Sequence, residues 1–287
     1  AWRGRRMGGL RLLCSLTCLN QVPPRGKACL HLHEAPARRY FLDMTEHATP
    51  PKLEIRIIPV TPLQQNTSMI WSTETMEGVF IDPGGEVDKL MGAAEQFGVK
   101  IVGVWLTHGH LDHAGAATEV SERTGCPIIG PHEDDQWLLD ELEAQGAKYG
   151  ITDGRNVKPD RYLHDGDELE LAGNRFGVAH CPGHTPGHVV IYHKEGALAF
   201  VGDVLFRGSI GRTDFPRGNH QQLIDSITGK LWPLGNEMRF VPGHGPLSTF
   251  GQERQDNPFV ADSITGYQGA ATQDADATSQ KLAKRWS

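Results

Sequence analysis

Short apolar runs separated by polar turns dominate the sequence from residue 53 onward. Leu53 to Val60 begins with alternating apolar and polar residues, and further runs rich in β-branched and aromatic residues recur along the chain. Runs of this length bounded by Gly, Pro, Asn or Asp are typical of β-strands. We predict strands at 53–60, 67–72, 78–82, 101–106, 127–130, 167–171, 176–179, 189–192, 197–201 and 238–241.

Segments with helical periodicity lie between several of these strands. Apolar residues recur every three or four positions in the segments 87–94, 114–123, 132–148 and 219–231, of which 132–148 is strongly acidic. Strands and helices alternate within two halves of the chain. An α/β arrangement of two packed sheets, covered on the outside by helices, accommodates this order better than a single parallel sheet does.

Charge and composition divide the chain into three parts. Eight of the 28 Lys and Arg residues fall before residue 44, against only two of the 35 Asp and Glu residues. We expect residues 1–50 to be a disordered leader or non-native extension, and 51–259 to form the catalytic domain. The segment 260–287 has few large apolar residues, so we expect a flexible tail there.

The acidic remainder of the chain argues against nucleic acid as the main substrate. No apolar run approaches the ~20 residues that span a membrane, so we expect no membrane partner. The five cysteines show no CxxC spacing, which favours a reducing compartment and a cytoplasmic location. The alternative is an organelle, if residues 1–43 are a transit peptide. A monomer and a small homo-oligomer are both compatible with the sequence.

The densest group of potential metal ligands directly follows the apolar run at 101–106. Residues 107–113 read T-H-G-H-L-D-H, with three imidazoles and one carboxylate within six residues. A loop that leaves the end of a buried strand can curl such side chains around one point. Because imidazole and carboxylate together suit zinc, iron or manganese, we predict a site for a divalent transition metal.

Three further segments end a predicted strand in a histidine or an aspartate. They are H-C-P-G-H-T-P-G-H at 180–188, F-V-G-D at 200–203 and F-V-P-G-H at 240–244. A single histidine in such a position is more often a hydrogen-bonded structural residue than a ligand. Four such segments together favour one shared site at an edge of the sheets.

Taken together, these four motifs resemble the metallo-β-lactamase superfamily, and they occur in order between about Leu53 and Phe259. Within that span, G-S-I-G-R-T-D-F-P-R-G at 208–218 and P-G-H-G-P-L-S-T at 242–249 look like the short glyoxalase II enzymes, which are hydroxyacylglutathione hydrolases. The resemblance implies a four-layer αββα sandwich with two metal ions at one edge.

The resemblance also implies seven metal ligands, three for each ion and one shared. The first ion would be held by His108, His110 and His184, the second by Asp112, His113 and His244, and Asp203 would bridge the pair. Zinc is favoured, with iron and manganese as alternatives. Two cations would turn a shared water into a bridging hydroxide at neutral pH and polarise a thioester carbonyl. We therefore also name Asp112 and Asp203 as catalytic residues.

The implied substrate is S-D-lactoylglutathione or a related hydroxyacylglutathione. Arg212, in the segment after Asp203, matches a position where the long glyoxalase II enzymes use a basic residue to bind glutathione, and a guanidinium suits a carboxylate. A structural role for Arg212 is equally compatible with the sequence. Gly245-Pro246 replaces a tyrosine of the long enzymes, so the prediction of thioester hydrolysis is firmer than that of tight glutathione binding.

Three other functions stay open. A persulfide dioxygenase, which uses one iron and O₂ on glutathione persulfide, shares nearly all the ligands, although the T-P-G-H at 185–188 fits the hydrolases better. A β-lactamase activity, as a side reaction, is less favoured because Asp203 stands where many β-lactamases have Cys or Ser. A non-enzymatic metal-binding module is the third alternative, and the complete ligand set argues against it.

Several other residues have weaker signals. Cys181 either faces the site as a thiol or, as we favour, is a buried bystander. We expect His188 to support a ligand or the core, and Asp82 either to cap a turn or to hydrogen-bond a liganding histidine. Histidines without a motif are expected to be structural or on the surface, namely His132, His164, His180, His193 and His220.

Overall fold

The computed structural model describes residues 53–149 and 154–268. The leader predicted at 1–50 and most of the tail predicted at 260–287 lie outside these residues. Within the described part of the chain, none of the helices has the length and apolar character needed to cross a membrane.

Five strands form the first sheet in the order in which they occur along the chain. They are β1 (Leu53–Val60), β2 (Gln65–Ser72), β3 (Glu77–Ile81), β4 (Lys100–Trp105) and β5 (Ile128–Ile129). The first three pair antiparallel, whereas β3, β4 and β5 run parallel. The parallel pairing brings the carboxyl ends of β3 and β4 to the same edge of the sheet, so Asp82 and Thr107 lie side by side.

The second sheet has six strands and also contains one parallel pair. In chain order the strands of this half are β6 (Glu168–Leu171), β7 (Asn174–His180), β8 (Val189–His193), β9 (Leu198–Gly202), a small separate hairpin of β10 (Leu205–Phe206) and β11 (Ser209–Ile210), then β12 (Arg239–Pro242) and β13 (Ser248–Thr249). The sheet order is β13-β12-β9-β8-β7-β6. Because β9 and β12 are parallel neighbours, the residues that follow them emerge together.

Helices cover the outer faces of the two sheets. They are α1 (Val87–Phe97), α2 (Leu111–Ala114), α3 (Ala117–Thr124), α4 (Gln136–Leu139), α5 (Leu142–Tyr149), α6 (His220–Ser226), α7 (Phe250–Asp256) and α8 (Asp262–Thr265). A π-helical segment at Ile227–Leu231 extends α6.

The hydrophobic core consists of three layers, because both faces of each sheet are buried. On β2, Met69 and Trp71 pack towards α1 and α3, whereas Ile70 between them packs against the other sheet. On β9, Phe200 faces the first sheet, and its neighbour Val201 faces the helices of the second half. Two sheets with helices outside both are the αββα sandwich, so the predicted fold class is confirmed.

The prediction of a single acidic helix at 132–148 is wrong. The segment is instead a 3₁₀ turn at Glu133–Asp135 followed by the separate helices α4 and α5. The break has a local cause, because the side chain of Asp135 is buried and bonded to other loops instead of pointing to solvent.

The boundary predicted for the flexible tail lies too early in the chain. Val260 and Ala261 are buried, and the short helix α8 follows them. Arg254 of α7 holds Asp262 with two contacts of 3.1 and 2.8 Å. The polar composition of this segment did not indicate a helix, because the segment is held by only one buried valine and one ion pair.

Gly84 provides a test of how tightly the loops at this edge are packed. A Cβ atom at Gly84 would lie 1.6 Å from the carbonyl oxygen of Asp112, whereas one at Gly92, in α1, would meet nothing within 4 Å. We expect Gly84→Ala to lower the free energy of unfolding by about 1–3 kcal/mol, as overpacking does. The control Gly92→Ala should raise it by about 0.5–1 kcal/mol, because alanine favours a helix. Urea unfolding measures both, and an unchanged midpoint for Gly84→Ala would contradict the packing described.

Candidate metal centre

All seven predicted ligands meet at the edge where the strands of the two sheets end. His108 and His110 follow β4, and α2 then carries Asp112 and His113. The other three follow strands of the second sheet: His184 lies between β7 and β8, Asp203 directly after β9, and His244 directly after β12. The convergence results from the parallel pairs β3–β4 and β9–β12, which direct their carboxyl ends to one place.

Three imidazoles form the first cluster. The Nδ1 atom of His110 lies 3.1 Å from Nε2 of His108 and 3.0 Å from Nε2 of His184. One ring nitrogen from each therefore faces a common point, and the three residues form a group suited to holding a metal ion.

The second cluster combines two imidazoles with a carboxylate. The Oδ2 atom of Asp112 lies 3.1 Å from Nε2 of His244 and 3.8 Å from Nε2 of His113. These three residues also form a group with metal-binding spacing.

Asp203 lies between the two clusters. Its Oδ1 atom is 3.4 Å from Nε2 of His113, and its Oδ2 atom is 3.6 Å from Nε2 of His184 and 3.8 Å from Nε2 of His244. One carboxylate thus faces ligands of both clusters, as the predicted bridging role requires.

Hydrogen bonds to the outer ring nitrogens set the tautomers of two ligands. The Thr107 hydroxyl donates to Asp82 over 2.6 Å, so its oxygen accepts the proton of His108 Nδ1 at 3.0 Å. His184 Nδ1 donates to the Arg212 carbonyl over 2.7 Å. Both Nε2 atoms therefore present lone pairs to the centre.

These lone pairs cannot all be satisfied within the protein. His110 Nδ1 carries at most one proton, so it can donate to only one of the two Nε2 atoms that face it. In the second cluster, His113 Nε2 and Asp203 Oδ1 are buried without a hydrogen-bond partner. Convergent acceptors of this kind are costly unless a cation satisfies them, so the donor set fits divalent metal ions.

Asp82 holds in place the loop that carries the predicted ligands after β4. Its carboxylate accepts from the backbone N–H of Thr107 over 2.7 Å and from His113 Nδ1 over 2.9 Å. Of the two roles left open by the sequence, the structure shows the hydrogen bond to a predicted ligand. A carboxylate behind a histidine orients the ring and increases its basicity.

The two clusters differ in their electrostatics. Burial lowers the pKa of His108 well below its ordinary value and, together with His184, lowers the pKa of His110 to about 3. Burial also opposes a charge on His113, yet Asp203 and Asp112 raise its pKa well above the ordinary value. The first cluster therefore consists of neutral imidazoles with available lone pairs, and the second lies in a field that favours positive charge.

Asp135 is a supporting residue that the sequence analysis missed. Its buried carboxylate accepts from Gly109 N–H over 2.9 Å, from the Thr185 hydroxyl over 2.7 Å and from Gly187 N–H over 2.6 Å. Burial raises its pKa to about 6. It links the loop of His108 and His110 to the loop of His184, but in the sequence it is one carboxylate in an acidic run.

Cys181 and His188 are two buried residues beside the centre with different roles. Burial raises the pKa of the Cys181 thiol to about 12, so this residue is the buried bystander that we favoured. His188 stacks on His108 with ring centroids 4.5 Å apart, and its Nε2 accepts from the backbone N–H of Asp203 over 3.0 Å. His188 therefore fixes two predicted ligands, which agrees with the expectation that it supports a ligand.

Arg212 lies on the exposed rim of the centre. Its guanidinium forms two contacts of 2.9 and 2.8 Å with Asp214 and lies 4.5 Å from the ring centroid of Phe215. The Phe215 ring in turn packs beside His110 and His184, at centroid distances of 5.2 and 5.8 Å. The segment after β11 thus borders the metal centre with an aromatic ring and a cation.

Comparisons with known proteins agree with this fold. The profile of the metallo-beta-lactamase superfamily matches residues 60–244. Hydroxyacylglutathione hydrolase GloC of Haemophilus influenzae is 44% identical over 209 residues, which cover 72% of this chain and 98% of the relative. The chain belongs to the metallo-β-lactamase superfamily and is a hydrolase of that family.

Two solved structures share this architecture. The BLEG-1 B3 metallo-beta-lactamase has a TM-score of 0.66 and 35% identity, covering 72% of this chain and 99% of its own. TTHA1623, solved in a di-iron-bound form, has a TM-score of 0.65 and 38% identity, covering 71% and 99% respectively. The resemblance noted from the sequence motifs is confirmed.

Asp135 allows the support of the metal loops to be tested without changing a ligand. We expect Asp135→Ala to weaken metal binding about 10–100-fold, as the loss of groups that orient ligands typically does. The measurement is the metal content per chain after dialysis against a graded series of chelator concentrations. The exposed Glu141→Ala, in the same acidic segment, is the control. Wild-type metal retention by a folded Asp135→Ala protein would remove the role assigned to Asp135.

Proposed function

We propose that this protein hydrolyses the thioester bond of a small acylated thiol, S-D-lactoylglutathione or a related hydroxyacylglutathione. The observation that carries the proposal is the position of Asp203 between two complete clusters of metal-binding groups. The similarity to a hydroxyacylglutathione hydrolase supports the substrate class. We further propose a cytoplasmic monomer or small homo-oligomer.

The seven ligands would hold two divalent ions, for which we favour zinc over iron or manganese. His108, His110 and His184 would hold the first, Asp112, His113 and His244 the second, and Asp203 both. Such ions lower the pKa of water and polarise a carbonyl oxygen. The similarity to a protein solved with two iron ions supports the number of ions.

The two carboxylates at the centre are placed to handle the water molecule and its proton. The side chains of Asp112 and Asp203 keep 14% and 13% of their surface accessible, so both contact solvent that enters the site. In the proposed reaction they orient a water molecule, whose oxygen adds to the thioester carbon. The C–S bond then breaks, and the proton that the water loses is returned to the thiolate sulfur.

The protein supplies no side-chain nucleophile in this proposal. Cys181 is the one thiol near the centre among the described residues, and it is buried with a pKa raised to about 12. A thiol of this kind stays protonated at neutral pH and is inaccessible to substrate. Attack by water is therefore the simpler route to hydrolysis.

Arg212 is the residue we assign to substrate binding. Its exposed guanidinium is held over Phe215, which packs beside two predicted metal ligands. Its ion pair with Asp214 is exposed, so a carboxylate of the substrate can replace Asp214 at little cost. A planar guanidinium binds such a carboxylate through two parallel hydrogen bonds.

A β-lactamase side activity is the second candidate function. The 35% identity to the BLEG-1 B3 metallo-beta-lactamase supports it, although Asp203 stands where many β-lactamases have Cys or Ser. Assays with S-D-lactoylglutathione, with glutathione persulfide and O₂, and with a β-lactam compare the three activities on one preparation. Persulfide-dependent O₂ consumption without thioester cleavage would replace the hydrolase proposal.

Loss of a ligand should remove metal and activity together. We expect His110→Ala and Asp203→Ala to lower kcat/KM for S-D-lactoylglutathione by about 10³-fold or more, equivalent to ~4 kcal/mol of transition-state stabilisation. Metal analysis should show fewer ions per chain in both variants. The exposed His220→Ala is the control and should keep wild-type values. Full activity in either ligand variant contradicts the mechanism.

The proposed role of Arg212 in substrate binding can be tested by comparison with a neighbouring arginine. We expect Arg212→Ala to raise KM for S-D-lactoylglutathione about 10-fold, or ~1.4 kcal/mol, with little change in kcat, because it binds a part of the substrate that does not react. Arg217, which packs 4.6 Å from the ring centroid of Trp137, is the matched control. A loss confined to kcat, or an equal rise in KM for Arg217→Ala, would reassign Arg212.

A further inference from the structure

A second group of histidines lies outside the metal centre. It consists of His132, Glu133, Asp134, His164 and His180, which we call the outer histidine cluster. His132 is central to it, stacked on His180 with centroids 4.3 Å apart and packed edge-on against His164 at 5.0 Å. Three separate parts of the chain contribute: the turn after β5, the loop before β6, and the end of β7.

The position of His132 is fixed by the surrounding backbone. Its N–H donates to the Gly187 carbonyl over 3.1 Å, and its own carbonyl accepts from Asp135 N–H over 3.1 Å. His180 covers one face of the ring and is itself held by a 2.8 Å hydrogen bond from its Nε2 to the Pro186 carbonyl. The ring of His132 is therefore pre-organised, although it lies near the surface.

Two groups lie beside His132 Nδ1. Asp134 N–H donates to this atom over a long distance of 3.2 Å, which a bound ion would displace, and Glu133 Oε2 lies 3.6 Å away. The same Glu133 oxygen lies 3.0 Å from His164 Nε2. Two imidazoles and a carboxylate thus face one another with spacing that a single metal ion can span.

The charge around the cluster also favours a cation. Two nearby carboxylates, Asp165 and Asp167, are paired with Lys230 and Arg161 at 2.7 and 3.1 Å. Glu133 and Asp134, by contrast, have histidines as their ion-pair partners among the described residues. Among the described residues no lysine or arginine neutralises these two carboxylates, which favours a cation beside them.

We propose that His132, Glu133 and His164 form a further binding site for a divalent transition metal ion, distinct from the centre of seven ligands. Two imidazoles and one carboxylate are ligands for zinc, nickel or copper, and they disfavour magnesium and calcium, which take oxygen ligands. Solvent completes the coordination, because the side chain of His164 is 54% exposed. The ion would fasten the turn after β5 to the loop before β6.

The test is equilibrium dialysis of the full-length protein at graded concentrations of free Zn²⁺, with metal counted per chain. At the concentration that half-fills this site, wild type should bind about half an ion per chain more than His164→Ala or Glu133→Gln does. We expect each substitution to weaken this ion at least about 10-fold, since even residues that only support ligands contribute that much. The readout is the difference in bound zinc between wild type and each variant, because the chain has other histidines and cysteines outside the described residues.

Three outcomes decide the proposal. Excess Zn²⁺ should raise the unfolding temperature of wild type and of the exposed-histidine control His220→Ala more than that of His164→Ala. Equal zinc counts for wild type and His164→Ala overturn the site. A loss of zinc in His220→Ala as large as that in His164→Ala also overturns it, because it indicates adventitious binding to surface histidines. Thioester hydrolysis by the same samples is scored separately, because His164→Ala leaves the seven ligands unchanged. Failure of the outer site is thereby distinct from failure of the proposed function.

Discussion

The convergence of unprotonated nitrogens and carboxylate oxygens at one buried edge is the constraint on which the rest of this structure depends. Polar atoms in such a place are normally paired with donors, and a buried acceptor without a donor costs free energy. Here the outer nitrogens of His108, His113 and His184 are all bonded to other residues, and the inner nitrogens face fewer donors than they need. Only a cation satisfies them together. Metal binding at the seven proposed ligands would therefore be coupled to the stability of the fold.

Three residues behind the ligands hold this arrangement. Asp82 fixes the loop of the first sheet, His188 bonds the backbone of Asp203, and Asp135 joins loops of both halves. All three are buried and reach their partners from outside the centre. Because each bonds to backbone groups, the ligand positions are fixed by the path of the chain. Side-chain rotamers alone do not determine them.

The sequence predicted the fold well because both faces of each sheet are buried. Runs such as 189–192 and 197–201 are continuously apolar for this reason, and their strand boundaries differ by one residue from those observed. Helices were harder to predict. The periodicity of 132–148 does not show that the side chain of Asp135 is buried. The seven predicted ligands could be named because they lie in motifs that follow strands. The role of Asp135 could not be recognised from the sequence. It depends on Gly109, Thr185 and Gly187, which are distant in sequence and contribute mainly backbone groups.

In the function we propose, different kinds of structure carry the reaction chemistry and the choice of substrate. The ligands leave strands whose pairing is fixed by two sheets, so the centre cannot change without disturbing the sandwich. Arg212 and Phe215, by contrast, lie on an exposed segment after β11, which contacts the centre through the Arg212 carbonyl and the Phe215 ring. Side chains on this segment can therefore vary while the ligands stay in place. One fold can therefore serve different substrates when the side chains at the rim of its centre differ.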